Sequence, residues 1–135
     1  MKDTLVAGLT ATRRFTVDKD STIDFMGDEL RVYATPSLVR DVEITCREYL
    51  LDYVDEGEDS VGTRVEIDHM APTLLGMWAE IAITVAEVKG PLVTFEFTGR
   101  DPVDQIARGR HTRFISNVAK TAQRLQAKAA KAAEG

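Results

Sequence analysis

Cysteine is nearly absent from this chain: Cys46 stands alone among 135 residues, so neither an intramolecular disulfide nor a four-cysteine zinc site can form. The expectation is a reducing compartment, the cytoplasm. Long apolar runs are also missing. Nowhere do about 18 apolar residues follow one another, and the opening MKDTLVAGLTATRRF has no apolar stretch of signal-peptide length, so no membrane span and no export signal are expected. There is no G-x-x-x-x-G-K-[ST], no G-x-S-x-G, no H-E-x-x-H and no cysteine/histidine cluster, which takes nucleotide hydrolysis and metal chemistry out of the expectations. Internal repeats and Pro/Gly/Ser-rich linkers are lacking, and residues 1–135 read as one domain.

What is present is a near-average soluble composition, 44% apolar and 29% charged, with a net charge of −5 that is unevenly placed. Residues 1–100 carry a net −9, whereas residues 101–135 carry +4. A basic end on an acidic body argues against general nucleic-acid binding and suits a compact anionic ligand.

The apolar pattern changes period along the chain. Thr4 to Val17 reads as a first strand, and residues 18–32 as a charged loop or lid anchored by Ile23, Phe25, Met26 and Leu30. Thr35-Pro36 signals a helix start, with the threonine hydroxyl as cap and proline tolerated in the first turn. Leu38, Val42, Cys46, Tyr49, Leu50 and Tyr53 then recur at helical spacing, which predicts a core helix from Pro36 to about Val54, stopped by Asp55-Glu56-Gly57. From there the period is 2. In the first strand of this set, Val61, Thr63, Val65, Ile67 and His69 share one face; Met77 to Ala86, Leu92 to Thr98 and Gln105 to Ile115 follow as strands, and 117–133 as a last helix. One core helix followed by antiparallel strands is an α+β plan, a curved sheet wrapped around a long central helix as in the hot-dog fold, plus a C-terminal helix.

Several residues on this frame can carry chemistry. Glu43 lies within the apolar helix stripe, where a carboxylate is costly unless paired or used; its alternative is an edge position reaching water, Arg40 or Arg47. His69 ends an apolar strand face and is either a proton-transfer group or a structural histidine. Thr35 has its capping role, and its hydroxyl becomes a nucleophile only beside a base. His111 and Arg113 are i and i+2 neighbours on the face of Ala107, Gly109 and Ile115, so Arg113 can grip an anion or form an ordinary ion pair. Lys120, Arg124, Lys128 and Lys131 form a stripe that reads as a solvated face. Cys46 suits core packing.

Taken in order, Tyr33-Ala34-Thr35-Pro36, Glu43, Ser60-Val61-Gly62-Thr63, Val65-Glu66-Ile67-Asp68-His69 with Ala71-Pro72-Thr73, and Gly109-Arg110-His111-Thr112-Arg113 resemble the fluoroacetyl-CoA thioesterase family of hot-dog proteins over about Tyr33 to Ile115. The resemblance implies hydrolysis of an acyl-CoA thioester, with Thr35, Glu43 and His69 as the catalytic set and Gly62, His111 and Arg113 binding substrate. It implies no metal and no cofactor, CoA being part of the substrate. Asp28, Glu29 and Arg31 stand where the family has lid aromatics, which points to a short acyl group other than the fluorinated one. Such chemistry needs an activated water or hydroxyl and oxyanion donors, for which Ser37 or Leu38 N–H is expected because Pro36 has none. Thr35 and Glu43, eight residues apart, differ by about 12 Å in height along a helix, so a composite site in a homodimer or higher homo-oligomer is expected. The alternative is a hot-dog domain that binds acyl-CoA or serves assembly without turnover.

Overall fold

The computed structural model describes residues 1–135. Its main elements are β1 (Thr10–Thr16), α1 (Thr35–Leu50), β2 (Glu58–His69), β3 (Trp78–Lys89), β4 (Leu92–Arg100), β5 (Gln105–Asn117) and α2 (Val118–Glu134). The five strands form one antiparallel sheet of order β1-β3-β4-β5-β2, which leaves β1 and β2 as its edges. The expected alternation holds in the middle of the sheet. Ala79, Ile81, Ile83 and Val85 of β3 and Val93, Phe95 and Phe97 of β4 are buried against Leu38, Val42, Cys46 and Leu50 of α1. Each large aliphatic or aromatic side chain so covered contributes about 1.5–3 kcal/mol, and this contact fixes α1 against the sheet. The result is the α+β hot-dog plan.

The ends of β2 to β5 and of α2 lie within three residues of expectation, and three further differences each have a local reason. Gly8, at φ +98°, bends the chain, so only Thr10–Thr16 of the expected first strand pairs with β3. α1 ends at Leu50 rather than Val54 because the N–H groups of Leu51, Asp52 and Tyr53 bond the carbonyls three residues back, a tightening of the last turn. Residues 18–32 contain two short 3₁₀ turns, Lys19–Ser21 and Asp28–Leu30, pinned by single bridges Thr22–Tyr33 and Val32–Leu74.

The fourth difference bears on the site. Between Gly62 and Arg64 the β2–β5 register slips by one residue, a β-bulge. Side chains of paired residues share a face, so Val65, Ile67 and His69 lie with the inward His111, Gly109 and Ala107, while Ser60 and Gly62 lie with Ile115 and Arg113. Val61 and Thr63 are thereby removed from the inner row that unbroken alternation gave them, and Val61 is left exposed. α2 is capped by the Asn117 side chain, which accepts from Lys120 N, and has no buried residue. No helix is long and apolar enough to cross a membrane.

Candidate functional site

The residues singled out in the sequence fall into two groups. The first sits where α1 starts. Ala34, not Thr35, is the N-cap, because Tyr33 and Ala34 are held extended by Tyr33 N–H to Thr73 O (2.8 Å) and Ala34 N–H to Ser21 O (2.8 Å). Thr35 is therefore already helical and its hydroxyl makes no capping bond; it lies 2.7 Å from His69 Nδ1 instead. His69, the last residue of β2, also meets Tyr33 edge to face, ring centroids 6.4 Å apart. Its other nitrogen, Nε2, is buried and has no partner. In either tautomer one ring position is thus left over, a donor or a base facing no protein group. Burial holds the His69 pKa below the ordinary histidine value, so the ring is neutral at pH 7. Tyr33 donates its hydroxyl to Asp41, and burial together with that carboxylate raises the phenol's pKa. A cavity of about 310 Å³ opens here, lined by Ile23, Val32, Tyr33, Thr35, His69, Met70, Ala71 and Pro72.

The second group lies two turns further along α1. Glu43 Oε2 is 3.8 Å from Arg113 Nη1, the carboxylate side chain 46% exposed and the guanidinium 5%. Arg40 and Arg47 are not its partners; Arg47 pairs with Asp59 at 2.7 Å. Arg113 is held from three sides, by Nε to Ser60 Oγ (2.8 Å), Nη2 to Ser60 O (2.8 Å) and Nη1 to His111 Nε2 (3.2 Å). The other ring nitrogen of His111 lies 2.8 Å from the Arg64 carbonyl. Gly62 faces all three groups: a Cβ there would lie 3.0 Å from His111 Cε1, 3.3 Å from Glu43 Oε2 and 3.5 Å from Arg113 Nη1.

Within one chain the two groups are apart. Thr35 and Glu43 are separated by about 12 Å of helix and Gly62 and His69 by roughly 20 Å of strand. Of the two backbone donors expected at the helix start, Leu38 N–H is consumed by Ala34 O at 3.0 Å, which leaves Ser37. A larger cleft, about 630 Å³ between β5 and α2, contains none of these residues. Cys46 is a core residue whose thiol burial pushes up to about 12. No three His, Cys, Asp or Glu side chains converge as metal ligands would. Ser60 is the site residue that alternation missed; the signal was Gly62 itself, since a glycine inside a strand marks a bulge and a bulge reassigns every residue beyond it.

A family model described as fluoroacetyl-CoA-specific thioesterase matches residues 17–119. The chain belongs to this family. The fluoroacetyl-CoA thioesterase of Streptantibioticus cattleyicolor is 28% identical over 127 residues, covering 89% of this chain and 91% of that one. A solved structure of the fluoroacetyl-CoA thioesterase FlK superposes with a TM-score of 0.85 at 26% identity, over 93% of this chain and 98% of that one. A Thermus thermophilus thioesterase-superfamily protein gives a TM-score of 0.89 at 24% identity, over 98% of this chain and 99% of the other, a likeness of fold. The family match and the hot-dog architecture make this chain a thioester hydrolase of the acyl-CoA class.

Proposed function

We propose that this family member hydrolyses a short-chain acyl-CoA to the free acid and CoA, at a site formed by Thr35 and His69 of one protomer and Glu43 of its partner. The observation that carries this is the hydrogen-bonded Thr35–His69 pair with one buried ring nitrogen unpartnered beside an apolar cavity. Its volume, about 310 Å³, is at the small end for ligand pockets and suits a few carbons rather than a long chain. With Glu43 as general base, water adds its oxygen to the thioester carbonyl carbon while its proton passes to the carboxylate; the C–S bond then breaks and neutral His69 relays that proton to the departing thiolate. With Glu43 as nucleophile, its oxygen displaces the thiolate to give a mixed anhydride, and water deprotonated by neutral His69 cleaves that anhydride to the free acid and the Glu43 carboxylate while the proton goes to the thiolate. Arg113 holds a polar or anionic part of the ligand with the N–H groups that Ser60 and His111 leave free, and Gly62 keeps that approach open.

The shared site calls for a two-fold pairing of β2 edges. β2 is a twelve-residue edge strand with Val61 and Val65 exposed, and antiparallel pairing of two copies centred between Val65 and Glu66 brings Gly62 of one opposite the partner's His69. The unpartnered His69 Nε2 then faces Glu43 of the partner subunit. The lid adapts the family chemistry: Arg31 is tied to Asp28 (3.1 Å) and Thr22 (3.3 Å), so no aromatic wall closes over the acyl group there. The protein acts in the cytoplasm, where its lone thiol stays reduced; cell fractionation checks this, and recovery from an exported fraction would contradict it.

The test is thiol release over acyl-CoAs of increasing chain length. Short chains should give the highest kcat/KM, and Glu43→Gln and His69→Ala should each lower kcat about a hundredfold or more with the fold intact. A preference for chains beyond about ten carbons, or unchanged turnover in both variants, overturns the assignment.

A further inference from the structure

We infer that Ser60 and His111 are the positioning residues of Arg113, and that His111 serves only as the neutral ring carrying its proton on Nδ1. The inference rests on the role given to Arg113 above. It follows from what each neighbour can do. His111 Nδ1 lies 2.8 Å from the Arg64 carbonyl, which only accepts, so Nδ1 must bear the hydrogen. His111 Nε2 lies 3.2 Å from Arg113 Nη1, which only donates, so Nε2 must be bare. The tautomer is dictated by its partners.

Ser60 completes the grip with its hydroxyl and its carbonyl, both at 2.8 Å. Together the two residues take three of the five guanidinium N–H groups and leave one on each terminal nitrogen, that of Nη1 on the side of Glu43 and Gly62. Arginine is otherwise a long, mobile side chain; here it is buried and locked. A lock of this kind preorganises ligand binding, so its loss appears in KM.

The lock opens when His111 takes a second proton, because Nε2–H would then face N–H and a cation would face a cation. The charged or titratable groups facing the ring are Arg113 on its own strand and Glu43 of α1; the buried Cys46 thiol of α1 acts on Arg113 instead. β2 presents Val65 and the Arg64 carbonyl, and β4 presents Phe95, which is apolar. Burial and Arg113 hold the ring neutral below the ordinary histidine range, against the Arg64 carbonyl and Glu43. Acid should therefore raise KM at a pH below about 6.5.

The experiment combines ¹⁵N NMR of the histidine rings with KM and kcat for Ser60→Ala, His111→Phe, His111→Gln and the reference Arg113→Ala. The wild-type spectrum should show His111 protonated at Nδ1 and bare at Nε2. Ser60→Ala and His111→Phe should raise KM about tenfold and change kcat far less. His111→Gln, an acceptor that does not titrate, should keep KM nearer the wild-type value and lose the acid rise in KM, while the acid fall in kcat due to His69 remains. An Nε2–H tautomer, or unchanged KM in Ser60→Ala and His111→Phe while Arg113→Ala raises it, overturns the inference. If Arg113→Ala leaves KM unchanged, the role of Arg113 in ligand binding fails instead, and the NMR decides the His111 lock by itself. Should His111→Phe not fold, Ser60→Ala and His111→Gln decide.

Discussion

Gly62→Ala adds one methyl group between the three polar groups of the second cluster, His111, Glu43 and Arg113. The new Cβ would stand 3.0 Å from His111 Cε1, 3.3 Å from Glu43 Oε2 and 3.5 Å from Arg113 Nη1. Gly62 is not in the positive-φ region, so the backbone accepts alanine. For stability, two effects oppose each other. Alanine in place of a strand glycine gains about 0.5–1 kcal/mol, and crowding costs about 1–3 kcal/mol, reduced here because the half-exposed Glu43 can swing aside. The net loss is about 1 kcal/mol, a fall in Tm of about 4 °C. The same movement is costly for catalysis, where a displacement approaching 1 Å reduces the rate by up to about a hundredfold. We expect kcat/KM for a short acyl-CoA to fall at least tenfold, measured by thiol release on protein whose Tm is recorded in parallel. A variant within twofold of wild type would refute the placement of Gly62 at the reacting centre. Gly109→Ala is the contrast: its Cβ would lie 1.9 Å from the Glu66 carbonyl oxygen, a backbone atom that cannot yield. That change should destabilise by more than about 3 kcal/mol and remove folded protein.

Three further outcomes follow from the geometry. Thr35→Ala should abolish most activity yet leave the Tm within about 2 °C, because the hydroxyl bonds His69 and caps nothing; a loss of about 1 kcal/mol, as for an N-cap, would restore the capping role. Because burial lowers the His69 pKa, its basic form persists below the ordinary value, so kcat in a pH profile should stay level from pH 8 to about 6.5 and fall only below it; a fall beginning near pH 7.5 would contradict this. Asp101 is buried, which opposes ionisation, but Val103 N–H (2.8 Å), Asp104 N–H (2.7 Å) and the Thr73 hydroxyl (2.9 Å) more than offset this and hold its carboxyl below the usual range. Its stabilisation is present above about pH 4 and lost as pH falls through the lowered value, and Asp101→Ala should cost about 1–3 kcal/mol in denaturant unfolding at pH 7 but little at pH 2.

The parts of this fold visible in the sequence are those in which one periodicity runs without interruption. Leu38, Val42, Cys46 and Leu50 repeat every four residues, and Ala79 through Val85 and Val93 through Phe97 alternate cleanly, so helix, strands and inward faces were all legible. Legibility ended where backbone hydrogen bonding changed the count. The bulge at Gly62 put Ser60 beside Arg113 and moved Val61 outward, which no alternation from Val61 to His69 conveys. The cap moved from Thr35 to Ala34 because Thr73 and Ser21 fix the preceding segment, contacts distant in sequence or made through a loop. Thr35, His69, Glu43 and Arg113 were recognisable as residue types in order, and so was the helical separation of Thr35 from Glu43; that Thr35 pairs with His69 and Glu43 with Arg113 was not, because pairing depends on how α1 lies across β2.

The account stands or falls on whether these two pairs form one catalytic site across two copies of the chain. Thr35→Ala and Glu43→Ala proteins, each inactive alone, are mixed in equal amounts, subunit exchange is verified, and thiol release from a short acyl-CoA is measured. Random exchange makes about half of the dimers mixed, each with one intact and one doubly altered site, so roughly a quarter of the wild-type activity should return. No recovery after verified exchange would contradict the shared site.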